Sequence, residues 1–370
     1  MITLYVELGA RRYPILIAPA LLSQAGEHLR HHEAGSRFVV ITNDVVDQYH
    51  GERLMQSLSR AGLTADKIIV PDGEHQKSLT NVDLIIGRML ELQCDRQTVV
   101  LALGGGVIGD LAGFVASCYM RGVPFIQMPT TLLAQVDASI GGKVGVNHRL
   151  GKNMIGAFHQ PALVLIDIET LRTLPPREIV AGFAEIVKHA MIYDRRYFEF
   201  LENKLDSMWA GEAETMAEAI RRSCEIKSEI VSQDERESGL RGLLNFGHTI
   251  GHALEAARGF TGLRHGEAVW IGMLAEAYLA TKSQYLAASE FARLDKFLHN
   301  LPLSIQLGGI SMDEIEYLMA RDKKNAAGAV RMVMLQAIGQ ATLTARWERR
   351  CLAEAIGYAL QRLRLDESIP

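Results

Sequence analysis

Short apolar runs punctuate the first 170 residues, and most of them stop at Asp or Gly. Two of these runs, ITLYVEL and YPILIA, flank Gly9–Arg12 within residues 2–18 and predict a hairpin. RFVVITND (37–44), KIIVPDG (67–73) and TVVLALGGG (98–106) follow, each a continuous β-branched stretch with helix-compatible sequence between them. Uninterrupted apolar strands that alternate with helices predict a parallel, doubly wound, Rossmann-like sheet buried on both faces. Ligands of such sheets bind at the carboxyl ends of the strands, where these Asp and Gly residues fall.

After ALVLIDIETLRTLPPRE the pattern changes. Pro175 and Pro176 precede GFAEIVKHAMI, which has helical spacing, and further helices are predicted over about 212–229, 267–281, 284–299 and 311–321. AVRMVMLQAIGQATL, near the end, predicts one late hairpin. The expected organisation is an α/β domain over 1–172 and a mainly α-helical domain over 173–370. No internal repeat or low-complexity tract interrupts it.

Composition narrows the class without naming it. A chain of 370 residues, 48% hydrophobic and 22% charged, has ample material for two globular cores. Its formal net charge of −4 excludes a general nucleic-acid binder, so any anion site is local. Cys94, Cys118, Cys224 and Cys351 form no CxxC pair, which argues against a disulfide framework and fits a reducing cytosol. MITLYVELGARRYPILIA lacks the order of a signal peptide, and no apolar run reaches the roughly 18 residues of a membrane span. A soluble, cytoplasmic protein with no membrane partner is expected.

Candidate chemistry is densest in LLNFGHTIGHALEAARGFTGLRHGEAVWIGM (243–273). His248 and His252 are one helical turn apart and share a face, and His265 and Glu267 follow a Gly-rich turn. Three imidazoles near a carboxylate suit a divalent metal with a position left for substrate, although an HxxxH pair alone also serves as core packing. Glu185 and Lys188 lie on the earlier predicted helix, either as an ordinary surface pair or, for Glu185, as an inward-facing ligand. On the helix near 212–229, Lys227 continues the stripe of Ile220, Cys224, Ile230 and Val231. An ammonium there must meet an anion or snorkel to water.

Phosphate-type signals cluster in the first half. LALGGGVIGDLAGF sets Gly104, Gly105 and Gly106 between a strand and a helix carrying Asp110, so that backbone amides can approach a pyrophosphate. The pattern is neither GxGxxG nor a GK[ST] loop, and tight packing alone can also explain it. Asp44, at a strand end, can accept a ribose hydroxyl pair or cap the next helix. Glu74 and Lys77 follow another strand, and Thr130 and Thr131 follow Pro129. Asp137, Lys143, Lys152 and Asn153 gather in a glycine-rich stretch expected to be a loop that binds phosphate or carboxylate. Arg241 and Asn245 lead into the His248 helix, and Lys323 and Lys324 precede the late hairpin.

The ordered set PDGEHQKSL, LGGGVIGDLAGF, PTTLLAQVDASIGGKVGVN, GKNMIGAF, LPPREIVAGFAEIVKHA, LLNFGHTIGHA, HGEAVWIGM and RDKKNAAG resembles the 3-dehydroquinate synthases of the sugar-phosphate cyclase superfamily, in their bacterial monofunctional form. The resemblance runs over nearly the whole chain and implies a dehydroquinate synthase-like fold. It assigns a zinc or cobalt ion to Glu185, His248 and His265, and moves His252 to the substrate side. It implies NAD contacts at Asp44, Glu74, Lys77, Gly105, Gly106, Asp110, Thr130, Thr131, Lys143, Lys152 and Thr173. Substrate or catalytic roles fall on Asp137, Lys143, Asn153, Lys188, Lys227, Arg241, Asn245, His252 and one of Lys323 and Lys324. Arg121 matches a position that reaches a neighbouring subunit's phosphate pocket, which implies a homodimer; read by itself, Arg121 is a cation at a helix C-terminus.

The implied reaction is a carbon–oxygen lyase step of the shikimate pathway toward aromatic amino acids. It turns the phosphorylated sugar acid 3-deoxy-D-arabino-heptulosonate 7-phosphate into 3-dehydroquinate and inorganic phosphate. NAD oxidises the C5 hydroxyl and acidifies the C6 proton, phosphate leaves by β-elimination, and the NADH formed reduces the ketone again, so that NAD is recycled. Three rivals share parts of this pattern. They are a metal-dependent polyol dehydrogenase, a related cyclase acting on sedoheptulose 7-phosphate or glucose 6-phosphate, and a non-catalytic nucleotide-binding scaffold. The cations at 143, 152, 227, 241 and 323 favour a phosphorylated acid over the dehydrogenase. Lys227, Arg241 and Asn245 argue against the related cyclase, and the full set of metal and acid–base positions argues against the scaffold.

Overall fold

A computed structural model describes residues 1–31, 37–259, 262–299, 311–320 and 330–363. Its contacts divide the chain into two units. The first is Met1–Pro175 together with Ala213–Arg236, and the second is Pro176–Glu212 together with Glu237–Pro370.

The first unit is built on a seven-stranded sheet. Its strands are β1 (Ile2–Val6), β2 (Tyr13–Ala18), β3 (Arg37–Asn43), β4 (Thr64–Val70), β5 (Val99–Gly104), β6 (Phe125–Pro129) and β9 (Leu163–Asp167), in the order β1-β2-β9-β6-β5-β3-β4. β1 and β2 form the expected antiparallel hairpin, and every other pairing is parallel. Helices α1 (Leu21–His31), α2 (Asp44–Val46), α3 (Glu52–Arg60), α4 (Leu79–Glu91) and α5 (Gly106–Cys118) connect the strands.

Alternate residues of one strand feed opposite cores, as a sheet covered on both faces requires. Val39, Ile41, Val100 and Ala102 pack with α4 and α5, whereas Phe38, Val40, Leu101 and Leu103 pack with α1 and α3. The strand order reverses between β3 and β5, which makes the carboxyl ends of these two strands the switch-point crevice of the sheet.

Two features depart from the sequence reading. The glycine-rich stretch expected to be a loop is largely a second hairpin, β7 (Lys143–His148) paired antiparallel with β8 (Gly151–Phe158). Val144 and Val146 anchor it to the core beside α5, and this buried stripe pins a sequence whose glycines mask its strand character. The other departure is α8 (Ala213–Gln233), which belongs to the first unit although the expected boundary at 172/173 put it in the second. Its buried stripe explains the allegiance. Lys227 Nζ reaches Asp137 Oδ1 at 2.6 Å, Cys224 Sγ lies 3.4 Å from the Gln135 carbonyl, and Ser232 Oγ accepts the Glu7 amide at 2.8 Å.

The second unit is helical, as expected. It comprises α6 (Pro176–Tyr193), α7 (Arg195–Trp209), α9 (His248–Ala257), α10 (His265–Lys282), α11 (Ala288–His299), α12 (Met312–Ala320) and α13 (Leu352–Arg362), with the late hairpin β10 (Met332–Ala337) and β11 (Gln340–Thr344). α10 is the central member. Residues Gly266 to Ala277 are buried without a break, and α6, α9, α11, α13 and β10 all pack on it. No described helix is long and apolar enough to cross a membrane.

Candidate active site

In the first unit, the residues singled out at strand ends do gather at the carboxyl edge of the sheet. β5 ends at Gly104, Gly105 opens α5 with no side-chain cap, and α5 starts at Gly106. A Cβ on Gly105 would stand 3.0 Å from Thr131 Cγ2, so glycine lets the turn close on the residues after β6. Thr131 Oγ1 accepts the Ala134 amide at 3.2 Å, and Thr130 is buried. Asp44 is exposed at the end of β3. It is not the cap of the following helix; Asn43 is, accepting the Val46 amide at 2.7 Å while donating to Asp72 at 2.6 Å.

Lys77 organises this edge. Its buried ammonium pairs with Asp110 on α5 and donates to Asn153 Oδ1 at 2.5 Å. Burial pushes the Asp110 carboxyl above its usual pKa, with Lys77 pulling it back. Asn147 ties the same loop to the hairpin. Its amide donates to the Lys77 carbonyl at 2.8 Å, its Nδ2 donates to Glu74 Oε1 at 2.8 Å, and its Oδ1 accepts the Asn153 amide at 2.9 Å. Asn153 sits at φ +55, a left-handed position that asparagine tolerates. Sequence reasoning overlooked Asn147, and its place in the GVN triplet of a strand end was the available signal.

Asp137 lies on a short π-type turn, Ala134–Ala138, where it meets Lys227. The Lys227 ammonium on the apolar stripe therefore has a carboxylate partner, not a snorkelling path to water. Lys143 is exposed and Lys152 half-buried, on opposite strands of the β7–β8 hairpin. Thr173 is engaged by neighbours: its hydroxyl donates to the Thr170 carbonyl at 3.0 Å and accepts from His50 Nε2 at 3.0 Å. Arg121 is exposed after α5, where Met120 (φ 47) and Arg121 (φ 68) are successive left-handed residues. Lys323 and Lys324 lie outside the described residues.

In the second unit, three helices bring Glu185, His248 and His265 together. Glu185 is on α6, His248 opens α9 and His265 opens α10. Glu185 Oε1 stands 3.6 Å from His248 Nε2 and 3.7 Å from His265 Nε2. These separations exceed a hydrogen bond. They match two ligands about 2.1 Å from a shared tetrahedral ion, which stand ~3.4 Å apart. Both Glu185 oxygens are buried without a hydrogen bond among the described residues, and the buried Lys188 ammonium lies at Oε2. Oε1, on the side away from this ion pair, faces the two imidazoles and is the oxygen left to take a further cation. The donor set and its spacing fit a divalent metal.

The imidazoles are also turned for it. His248 Nδ1 donates to the Phe246 carbonyl at 3.0 Å and His265 Nδ1 donates to Glu255 Oε2 at 3.0 Å, so it is Nε2 of each ring that faces Glu185. Burial alone disfavours a charged His265, but the Glu255 hydrogen bond and the charges of Glu255 and Glu185 outweigh it and raise its pKa above the usual histidine value. His252 stays close: nitrogens of His248, His252 and His265 all lie within 4.8 Å of one another. Geometry alone thus offers two overlapping ligand sets. Arg241 is buried, and Asn245 Nδ2 donates to Glu237 at 2.7 Å.

Glu267 is not part of this cluster, contrary to the first reading of the histidine stretch. It caps α10, accepting the Arg264 amide at 2.8 Å, and pairs with Arg177. Two further carboxylates were missed. Glu255 is seven residues after His248 on α9, so helical periodicity already placed it on the histidine face. Glu276 is fully buried on α10 and accepts the Gly247 amide at 2.8 Å, which caps α9 from a neighbouring helix; nothing in the sequence pairs these positions.

An open parallel sheet with glycine-lined strand ends, followed by a helical unit carrying a Glu–His–His cluster, defines the dehydroquinate synthase-like class. Models of the 3-dehydroquinate synthase N-terminal and C-terminal domains match residues 67–181 and 182–325, and the chain belongs to this family. Among solved structures, 2-epi-5-epi-valiolone synthase from Streptomyces hygroscopicus subsp. jinggangensis 5008, with NAD+ and Zn2+ bound, is 29% identical. It superposes with a TM-score of 0.85 over 98% of this chain and 99% of that one. A 2-deoxy-scyllo-inosose synthase complexed with carbaglucose-6-phosphate, NAD+ and Co2+ is 25% identical, with a TM-score of 0.84 over 97% and 100% of the two chains. Glycerol dehydrogenase from Schizosaccharomyces pombe shares the fold at 17% identity and a TM-score of 0.67, over 96% and 92%.

Proposed function

We propose that the chain is a 3-dehydroquinate synthase, which converts 3-deoxy-D-arabino-heptulosonate 7-phosphate to 3-dehydroquinate and phosphate with catalytic NAD. The observation that carries the catalytic part is the convergence of Glu185 Oε1, His248 Nε2 and His265 Nε2 on one point. These three residues hold the metal in this reading, and NAD lies along the carboxyl edge of the sheet. The bound metal supplies Lewis acidity toward substrate oxygens, as NAD supplies a hydride acceptor.

The protein's own side chains do the rest. Lys188 sits at Glu185 Oε2 and offsets its charge in the buried site. Asp137 and Lys227 hold each other as a matched pair, which keeps an ammonium and a carboxylate ready to bind substrate oxygens without rearrangement. Lys77 and Asp110 with Glu74 shape the nucleotide edge. Asn153, Lys143 and Lys152 serve the boundary between nucleotide and substrate, and Arg241, Asn245, His252 and one of Lys323 and Lys324 receive the substrate's anionic groups. Arg121 reaches the phosphate pocket of a second copy in a homodimer. The reaction places the protein in the cytoplasm, on the route to aromatic amino acids.

A related cyclase for a sugar phosphate that lacks a carboxylate is the second reading. It is favoured by the likeness to the valiolone and inosose synthases, which span nearly the full chain. The buried guanidinium of Arg241, a carboxylate-type partner, supports the acid substrate instead. Phosphate release from the heptulosonate, sedoheptulose 7-phosphate and glucose 6-phosphate, each with substoichiometric NAD, separates them. Release from the heptulosonate alone supports the synthase. Turnover of either other sugar in its place sinks it, and accumulation of stoichiometric NADH points to a dehydrogenase.

A further inference from the structure

Of the groups around the three converging helices, Glu255 has no role in the reaction as proposed above. It is buried, with 4% exposure, on α9. Its Oε2 accepts from His265 Nδ1 at 3.0 Å, across the gap between α9 and the first residue of α10. His265 is the least anchored of the converging groups. Its side chain is 32% exposed, whereas those of His248 and Glu185 are 10% and 0% exposed. His248 is turned by a backbone carbonyl two residues away on its own chain segment, and that contact survives any side-chain change nearby. The orientation of His265 depends on a side chain from another helix.

We propose that Glu255 is a positioning residue that sets the ring orientation and tautomer of His265, so that Nε2 faces Glu185 and His248 with its lone pair free. This rests on reading Glu185, His248 and His265 as metal ligands. A neutral imidazole carries one proton, and the ionised carboxylate holds that proton on Nδ1. Outer hydrogen bonds of this kind raise the basicity of a ligating histidine and stop the ring from rotating, and their loss typically weakens metal affinity about 10–100-fold. Because Glu255 shares a helix with His248, it also fixes the distance between the two histidine-bearing helices at the site itself.

The test uses the full-length apoprotein. Zinc affinity is measured by competition with a chromophoric chelator for the wild type, Glu255→Gln, Glu255→Asp and His265→Ala, beside the visible absorption of the cobalt forms and the melting midpoint of each apoprotein. Gln matches the shape of Glu but offers a weaker acceptor. The expected result for Glu255→Gln is zinc binding weakened about 10–100-fold with an altered cobalt band and an unchanged apo midpoint. Glu255→Asp keeps the charge but withdraws it by one methylene, and it should weaken binding as well. Wild-type affinity in Glu255→Gln or in Glu255→Asp overturns the proposal, as does weakening matched by an equal loss of apo stability. Wild-type affinity in His265→Ala overturns the metal reading beneath it instead.

Discussion

Arg177 of α6 forks around Glu267 of α10, with Nε 2.6 Å from Oε1 and Nη2 2.8 Å from Oε2. α6 carries Glu185 and α10 opens with His265, so this fork lies on the same pair of helices as two of the converging groups. Glu267 is 2% exposed and also caps its helix through the Arg264 amide. Lysine cannot reproduce a planar two-bond fork. Arg177→Lys should therefore cost about 1–2 kcal/mol of stability, the guanidinium being partly in water, and should weaken zinc binding in parallel. Urea unfolding and chelator competition check both; an unchanged zinc affinity would leave the fork with only a structural role.

His252 and His265 are predicted to separate cleanly. The Glu185 contacts favour His265 as the ligand, whereas imidazole spacing alone admits His252. His265→Ala should abolish tight zinc binding, and His252→Ala should retain it while losing phosphate release. Equal loss of zinc in both variants would overturn this division. Acid should act on the metal through the same residue. The His265 pKa is raised, so its proton competes with zinc as pH falls, beginning above the usual histidine range. Zinc affinity should fall progressively on acidification, and a flat profile from neutral pH downward would count against His265 as a ligand.

How far the sequence revealed this arrangement depends on the kind of contact. β3 and β5 were legible because a strand buried on both faces needs an unbroken apolar run, whereas β4, an edge strand with mostly exposed or half-buried residues, declared itself only by its apolar end. The β7–β8 hairpin was not, since Gly145 and Gly156 stand where each strand's backbone closes on the other and no side chain remains to show alternation. α8 was legible as a helix with a buried lysine, but periodicity names a face and not the unit it packs against. His248 and His252 declared themselves by spacing, whereas Glu185 stood open between a surface pair and an inward ligand until the resemblance assigned it, because a ligand from another helix leaves no local pattern. Glu276 left no trace at all: a carboxylate capping a different helix is a tertiary fact.

His50 should give the fold a pH dependence on the acidic side. Burial, reinforced by the nearby Arg53 charge, lowers its pKa to about 4. Arg53 Nη2 donates to Nδ1 at 3.3 Å and Nε2 donates to Thr173, so the neutral ring is the form the site accepts. Above pH ~6.5 the ring is neutral in both folded and unfolded chains and contributes no slope. Between pH ~6.5 and the folded value the unfolded chain takes up a proton that the folded one refuses, so stability falls with falling pH, by at most about 1.4 kcal/mol per unit. His50→Gln should flatten this part of the profile. Urea midpoints at pH 7 and pH 5 for both proteins decide it, and an identical slope in the variant would refute the assignment.

Gly266 makes the most demanding prediction. It follows His265 at the start of α10, and a Cβ there would stand 1.9 Å from the Ala181 carbonyl oxygen and 2.5 Å from the Ala181 Cα. These are backbone atoms of α6, one helical turn before Glu185, so no side-chain rotation relieves the overlap. Alanine must push α10 away from α6, at a cost of about 3 kcal/mol, near the upper end for overpacking. The displacement acts directly on the separation of His265 and Glu185, which is 3.7 Å and has little slack for a shared ion. Gly266→Ala should therefore lose zinc affinity beyond its loss of stability. Gly357 is the control: it lies on α13 with open space at its Cβ position, and its replacement by alanine should be neutral or slightly stabilising in the helix. Near-wild-type zinc binding by folded Gly266→Ala protein would show that the close approach of α6 and α10 does not govern the cluster.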